Sequence, residues 1–336
     1  MKIINLDSDY KKNYYSDFAS WLQDDLNSVN KIIFDSLSNS SKLISDLSSH
    51  IISSGGKRIR PLLTLASAKL CGYSGSRHIN LASVIEFIHT ATLLHDDVVD
   101  NSKKRRGKDT ANYIWGNKSS ILVGDFLLSK AFKLLTKDGS LKCIEIISKT
   151  SEKISLGEVK QLMSVKNLET SESDYLEIID CKTAELFSAA CQISCEISEI
   201  EDKKKKSLRE FGKFLGIAFQ IVDDTIDYFS SEENSGKEIG NDFKEGKMSL
   251  PLILSYKRSD RRERKYLEYI LKKGRIIKDD FLWARQLMKK YNIEEDCLSK
   301  AKHFSIMAKD SLGTFQNSFE KEKILNLTDF LMSRKS

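Results

Sequence analysis

Two stretches of the chain close an apolar run with the same acidic signature: FIHTATLLHDDVVD at residues 87–100 and FLGIAFQIVDDTID at residues 214–227. On an α-helix, Asp96 and Asp100 are i, i+4 neighbours with Cβ atoms about 5–6 Å apart. Asp223 and Asp227 repeat the spacing. Two such charges repel by about 3 kcal/mol at an effective dielectric near 20, and acids at a helix C-terminus also oppose the macrodipole. At a solvated helix end, with Lys103 and Lys104 close by, the penalty would shrink to a few tenths. Recurrence after two strongly apolar runs favours another reading, in which the carboxylates rim a cavity. There they would bind Mg²⁺, an ion that takes oxygen ligands and is completed by water and substrate phosphates. Asp96, Asp100, Asp223 and Asp227 are the expected metal ligands, on two helices whose acidic ends face each other.

Metal ions held this way call for a polyphosphate ligand, and basic partners are at hand. Arg105 and Arg106 follow the first motif directly. Gly55-Gly56-Lys57-Arg58-Ile59-Arg60-Pro61 reads as a glycine-punctuated loop opening a helix, a place where backbone N–H groups approach phosphate. Lys182-Thr183 precedes Ala184 and Glu185, Gln220 lies one turn below Asp223, and Lys237 and Lys247 flank the turn-rich GKEIGNDFKEGKMSLP. Each of these alone is a solvated polar residue; together with two acidic helix ends they make an anion site. His89 falls on the same stripe as Asp96, two turns below, and joins the site. His95 is assigned to the structure.

The elements that must carry these groups are helices. At 100° per residue, Val84, Phe87, Ile88, Ala91, Leu94 and Val98 form a core stripe, while Ile85, His89, Thr92, Asp96 and Asp100 form a second stripe. Composition agrees: 40% hydrophobic, 30% charged, with 16 Gly and only 2 Pro in 336 residues. Strand-rich folds need more turns than so little proline suggests. Breaks are expected at 53–56, 72–76, 101–108, 137–140, 166–173, 201–205 and 230–246. None is a domain linker, so residues 1–336 read as one all-α domain. Its first 50 residues should form amphipathic helices around Trp21, Leu22, Ile32, Ile33 and Phe34. Beyond residue 258 the chain is helical and charged, with no recognisable chemistry. Gly212 and Gly216, below Asp223, read first as points of close helix packing.

Several function classes fall away. The net charge of +6 is mild; the basic runs at 203–206 and 261–264 read as solvated helix ends, and no basic stripe interleaved with groove-reading residues points to nucleic acid. Six cysteines show neither CxxC pairs nor zinc-type spacing with the five histidines, and read as reduced thiols. The N-terminus lacks the apolar core of a signal peptide. The apolar run 79–94 is broken by Glu86 and His89, and no stretch reaches the roughly 20 apolar residues of a membrane span. The expected location is the cytoplasm.

On GGKRIRP, LLHDDVVDNSKKRRG, GNKSSILVGDFLLSKAF, KTAELFSAA, FQIVDDTIDY and GKEIGNDFKEGKMSLP, in that order, the chain resembles the trans-isoprenyl diphosphate synthases, or polyprenyl synthetases. The likeness covers residues 45–256. The run 89–107 and GEVKQLM at 157–163 are most similar to the bacterial octaprenyl diphosphate synthases of ubiquinone synthesis. This resemblance implies an all-α bundle of the isoprenoid synthase type, a homodimer, with an active-site cavity between two Asp-rich helices. It implies an Mg²⁺-dependent prenyltransferase that condenses isopentenyl diphosphate onto an allylic diphosphate such as farnesyl diphosphate. The allylic substrate ionises to a carbocation and pyrophosphate, the double bond of isopentenyl diphosphate attacks, and a proton leaves.

By motif position, Asp96 and Asp100 would hold two Mg²⁺ ions and Asp223 a third, with Asp227 supporting; Asp96, Asp100, Lys182 and Asp223 are the implied catalytic residues. Lys57, Arg60, His89 and Arg106 would bind isopentenyl diphosphate. Arg105, Lys182, Thr183, Gln220, Lys237 and Lys247 would face the allylic diphosphate. The implied product is a membrane-soluble octaprenyl chain. Ala91 and Thr92, small residues just before the first motif, would set its length along a helix that spans roughly 24 Å from residue 81 to 96. Lys103 and Lys104 make the following loop more basic than the acidic or neutral residues often found there, and Glu185 stands where related octaprenyl enzymes can carry Arg. An HD-type phosphohydrolase would need more His pairs, a terpene cyclase would not need GGKRIRP with Arg105-Arg106, and a non-catalytic subunit would have lost Asp from one motif.

Overall fold

Apolar residues recurring every three to four positions carry through into a structure that is helical over most of its described residues. The computed structural model describes residues 6–38, 40–53, 56–105, 107–230 and 239–334. In chain order the helices are α1 (Leu6–Trp21), α2 (Gln23–Ser38), α3 (Lys42–Ser53), α4 (Ile59–Leu70), α5 (Arg77–Val99), α6 (Ala111–Trp115), α7 (Asn117–Asp138), α8 (Leu141–Ser164), α9 (Glu172–Ile179), α10 (Glu185–Glu196), α11 (Asp202–Phe229), α12 (Asn241–Glu245), α13 (Leu250–Arg258), α14 (Arg261–Lys272), α15 (Lys278–Lys290), α16 (Ile293–Ser311) and α17 (Phe319–Met332). Asp180–Ala184 is π-helical and Leu312–Thr314 a 3₁₀ turn. Among the described residues the strands are β1 (Lys104–Arg105) and β2 (Lys108–Asp109), paired antiparallel inside the break expected after the first motif. The all-α class holds.

The punctuation has local causes. Gly72 and Gly139 take left-handed φ of 73° and 77° just past the ends of α4 and α7, where a Cβ would be strained. Ser171 and Asp174 form a reciprocal capping box at the start of α9. The break expected at 201–205 is narrower than that, because α11 already begins at Asp202.

The chain divides into two compact units. The first comprises residues 1–151, 186–212 and 309–330. There α5 packs against α2, α4 and α7, and Leu81, Ala82, Val84, Ile85, Ile88, Ala91 and Leu94 are all at most 1% exposed. Ile85, expected on the carboxylate stripe, is core. In α2 the buried face is Leu26, Val29, Ile33 and Leu37, and Phe34, expected among the packing residues, is 67% exposed because it lies one position off that face.

The second unit comprises residues 152–185, 213–308 and 331–336. Its core gathers Tyr175, Ile221, Val222, Tyr228, Phe243, Leu252 and Phe281, with Phe281 6.1 Å from each of the Tyr228 and Phe243 ring centroids. No helix among the described residues is long and apolar enough to cross a membrane.

Gly212 shows what glycine supplies within a helix contact. An ideal Cβ there would lie 2.5 Å from the Phe187 carbonyl oxygen and 2.8 Å from Ser188 Cα. Those are backbone atoms of α10 and cannot swing aside. Gly212→Ala is therefore expected to destabilise the protein by about 1–3 kcal/mol, although Ala is the better helix former by about 1 kcal/mol. Urea or thermal unfolding measures it, and an unchanged or raised midpoint would contradict the close approach.

Candidate active site

The first acidic motif ends α5. Asp96 and Asp100 are partly exposed, whereas Asp97 between them is 5% exposed. A buried carboxylate needs a counter-charge, and the β1–β2 hairpin brings one. Arg105 Nε lies 3.0 and 3.2 Å from the two Asp97 oxygens, with Nη2 2.9 Å from Oδ1. Burial pushes the Asp97 carboxyl above its ordinary value, and Arg105 pulls the other way. The loop is tied further by Asn112 Nδ2, which donates to the Asp97 and Ser102 carbonyls at 3.0 and 3.1 Å. Arg105, expected to face a diphosphate, thus rests on the middle Asp of its own motif. Arg106 lies outside the described residues.

At the second residue of α4, Arg60 Nη1 is 3.0 Å from His89 Nε2 on α5, and its guanidinium lies 4.5 Å over the Phe187 ring. These two expected site residues are brought together. Lys57 sits 4.7 Å over the Phe330 ring, and its carbonyl accepts a 2.8 Å hydrogen bond from the Tyr15 hydroxyl. Arg58, between them, takes a left-handed φ of 46° and pairs with the buried Glu86. Thr92 donates to the His89 carbonyl at 2.8 Å and is half-buried, while Ala91 is fully buried. His95 contacts Asp125 and the Ile121 carbonyl at 3.4 and 3.3 Å.

The second motif, in the other unit, repeats the pattern with different partners. Asp223 and Asp227 are partly exposed and Asp224 is 8% exposed. The Tyr175 hydroxyl donates to Asp224 Oδ2 at 2.6 Å, and Gln220 Nε2 donates to Oδ1 at 2.7 Å. Gln220 Oε1 in turn accepts from the Thr183 hydroxyl at 2.8 Å. Burial, then the Asp242 carboxylate, push Asp224 well above the ordinary carboxylate range, against both hydrogen bonds. Asp227 anchors the next turn: its carbonyl accepts from Gly240 N–H at 2.9 Å and Oδ2 from Asp242 N–H at 3.1 Å.

Lys182 lies in the π-helical segment, a feature frequent at functional sites. Its ammonium is 2.7 and 2.9 Å from the two Glu158 oxygens. Gly157 lets α8 come this close, since a Cβ there would meet Lys182 N at 2.6 Å. Lys247 pairs with Glu245 at 2.8 Å. Lys237 lies outside the described residues. The charged C-terminal third, expected to carry no chemistry, contributes Arg334. This guanidinium is 3.8 Å from Asp223, lies 4.0 Å over the Phe219 ring and donates to the Phe219 carbonyl at 3.4 Å.

Sequence reasoning passed over Arg58, Asp97, Glu158, Tyr175, Asp224 and Arg334. A buried Glu86 inside an apolar run was the one signal for Arg58; Tyr175 and Arg334 are 49 and 111 residues from their partners in the chain and left none. Each motif offers two outer carboxylates one turn apart, and no group of three metal-ligating side chains converges among the described residues. That donor set fits Mg²⁺, which leaves much of its octahedron to water and phosphate oxygens.

Known proteins share both sequence and fold. The octaprenyl diphosphate synthase of Escherichia coli (strain K12) is 47% identical over 229 residues, covering 68% of this chain and 71% of that protein. The crystal structure of a polyprenyl synthase from Caulobacter crescentus CB15, complexed with calcium and isoprenyl diphosphate, matches with a TM-score of 0.93 at 41% identity, covering 96% of this chain and 98% of that one. A decaprenyl diphosphate synthase from Rhodobacter capsulatus gives 0.91 at 40%, covering 96% and 99%. The profile of the polyprenyl synthetase family matches residues 41–288. With its doubled acidic motif and all-α fold, the chain belongs to the polyprenyl synthetase family and is a prenyltransferase, a trans-prenyl diphosphate synthase.

Proposed function

We propose that the enzyme makes long trans-polyprenyl chains, adding isopentenyl diphosphate repeatedly to an allylic primer such as farnesyl diphosphate, with an octaprenyl product for the ubiquinone side chain. The observation that carries the reading is the pair of motifs in which the middle Asp is buried and the outer two, one helical turn apart, are partly exposed. The E. coli relative is named for an octaprenyl product and the R. capsulatus neighbour for a decaprenyl one, so the proposed length follows the first and the motif likeness of residues 89–107. Residues 1–336 act as one polyprenyl synthetase domain.

Mg²⁺, held by Asp96 and Asp100 as two ions and by Asp223 as a third with Asp227 supporting, would neutralise charge building on the departing diphosphate. Arg60 and His89, with Lys57 and Arg106, supply the donors for isopentenyl diphosphate; the 3.0 Å Arg60–His89 contact fixes two of them relative to each other. Arg105, Lys182, Thr183, Gln220, Lys237 and Lys247 serve the allylic diphosphate. Lys182 and Lys247 are each paired with a carboxylate, so binding exchanges a side-chain partner for a phosphate oxygen, whereas Arg105 keeps its pairing with the buried Asp97. Thr183 and Gln220 already satisfy each other and are held for that role by Asp224. Of the two departures from related sequences, Lys104 lies exposed in the hairpin and Glu185 pairs with Lys153 at 3.0 Å.

The enzyme works as a homodimer in the cytoplasm. Supporting the dimer, α7 exposes Leu122 (67%) and Phe132 (41%), and α8 exposes Val159 (54%) and Met163 (75%), more large apolar side chains than single surface helices need.

Asp96→Ala or Asp223→Ala should leave the helical fold intact and lower turnover by at least about a hundredfold. A chelator should do the same to the wild type, reversibly on adding Mg²⁺. Incorporation of labelled isopentenyl diphosphate, with circular dichroism as the control, reads this out; near-normal turnover in either variant would refute the ligand assignment.

Because Ala91 is packed into the core, a bulky residue there would strain α5, and Thr92 is the cleaner probe of chain growth along this helix. Thr92→Phe should shorten the product while preserving condensation on short primers. Reversed-phase sizing of the dephosphorylated alcohols decides it: an unchanged long product would mean that the chain grows elsewhere.

A further inference from the structure

The second unit carries a surface that catalysis leaves unused. Residues 261–278 contain eight Lys or Arg and two Glu, a net +6 that equals the charge of the entire chain. The other residues therefore balance to zero, and the basicity of the protein is concentrated on α14 and the connection to α15. The acids nearby are mostly committed. Glu263 accepts from Lys290 and Tyr291 at 2.6 and 2.7 Å, and Glu268 from the Tyr256 hydroxyl at 2.8 Å. Asp260 caps α14, Asp280 pairs with Lys273 at 2.6 Å, and Asp279 stands exposed at the start of α15.

Helical spacing puts Arg262, Lys265, Tyr266, Tyr269 and Lys272 on one exposed face of α14, away from the buried Leu267, Ile270 and Leu271. Tyr269 is 61% and Tyr266 43% exposed, as are Ile277 (47%) and Leu282 (42%) just beyond. The aromatic pair is held rigidly: Tyr266 stacks on Tyr269 at 6.2 Å and stands edge-on to Trp283 at 4.6 Å. Large apolar side chains ringed by cations are costly to leave in water and match one environment well. Tyrosine rings favour the bilayer–water boundary, aliphatic side chains enter its apolar edge, and each Lys or Arg is drawn to anionic headgroups.

We propose that this face docks the enzyme on an anionic lipid bilayer. The benefit rests on the long-chain reading above: a polyprenyl tail is insoluble in water and must pass from the protein into a membrane. Docking itself needs no substrate, so vesicle binding and product length are tested separately.

The experiment is sedimentation of the full chain with vesicles of phosphatidylcholine containing one third phosphatidylglycerol, beside vesicles of phosphatidylcholine alone. The wild type should bind the anionic vesicles at about 0.1 M salt and leave them at about 1 M, where the screening length falls to about 3 Å. Arg262→Glu with Lys265→Glu should lower the partition coefficient at least tenfold, with turnover on farnesyl diphosphate unchanged. Should that pair fail to fold, Lys272→Glu with Arg275→Glu reads the same face. Absence of wild-type binding, equal binding by a folded charge-reversed variant, or tighter binding to a single-stranded oligonucleotide than to the vesicles would overturn the proposal.

Discussion

A carboxylate taken out of water must find a cation or hydrogen-bond donors, or cost several kcal/mol. Each acidic motif meets that demand for its middle Asp, and the local architecture around each motif follows from how. Asp97 is held by Arg105, which requires the chain to turn back immediately after α5 in the short β1–β2 hairpin. Asp224 is held by the Tyr175 hydroxyl and the Gln220 amide, which fixes α9 beside α11 and so sets where the following π-helical Lys182 and Thr183 lie. With the middle residue turned inward, helical geometry leaves the outer pair, i and i+4, on the accessible side.

The same economy governs the basic residues. Arg105, Lys182 and Lys247 each rest against a carboxylate, and Arg60 is steadied by a histidine and an aromatic ring. These cations are already ordered, so a diphosphate bound to them as proposed would cost little further side-chain entropy. Arg334 applies the rule to Asp223, placing a guanidinium from the far end of the chain near an expected metal ligand.

Local pattern made the helices, their breaks and the outer aspartates legible, because period and spacing are written in neighbouring residues. Arg60 and His89, and Thr183 and Gln220, which the motifs put in the same sets, are in contact although 29 and 37 residues separate them. What stayed hidden was long-range pairing. Nothing beside Tyr175 announces that its hydroxyl meets Asp224, and nothing in a charged C-terminal tail singles out Arg334. Phe34 and Ile85 were misplaced for a simpler reason: a helical wheel ranks faces but does not say which neighbours cover them. The two-residue strands were invisible because an isolated hairpin of that length has no periodicity.

The account depends on the division of labour inside each Asp-Asp-x-x-Asp, and calorimetric titration of Mg²⁺ in the presence of inorganic pyrophosphate tests it most directly. Asp223→Asn and Asp224→Asn should be compared with the wild type. The account predicts that Asp223→Asn loses binding of a metal ion while keeping wild-type thermal stability. It predicts that Asp224→Asn retains the full metal stoichiometry while unfolding at a lower temperature. Loss of metal binding in Asp224→Asn with retention in Asp223→Asn would contradict it.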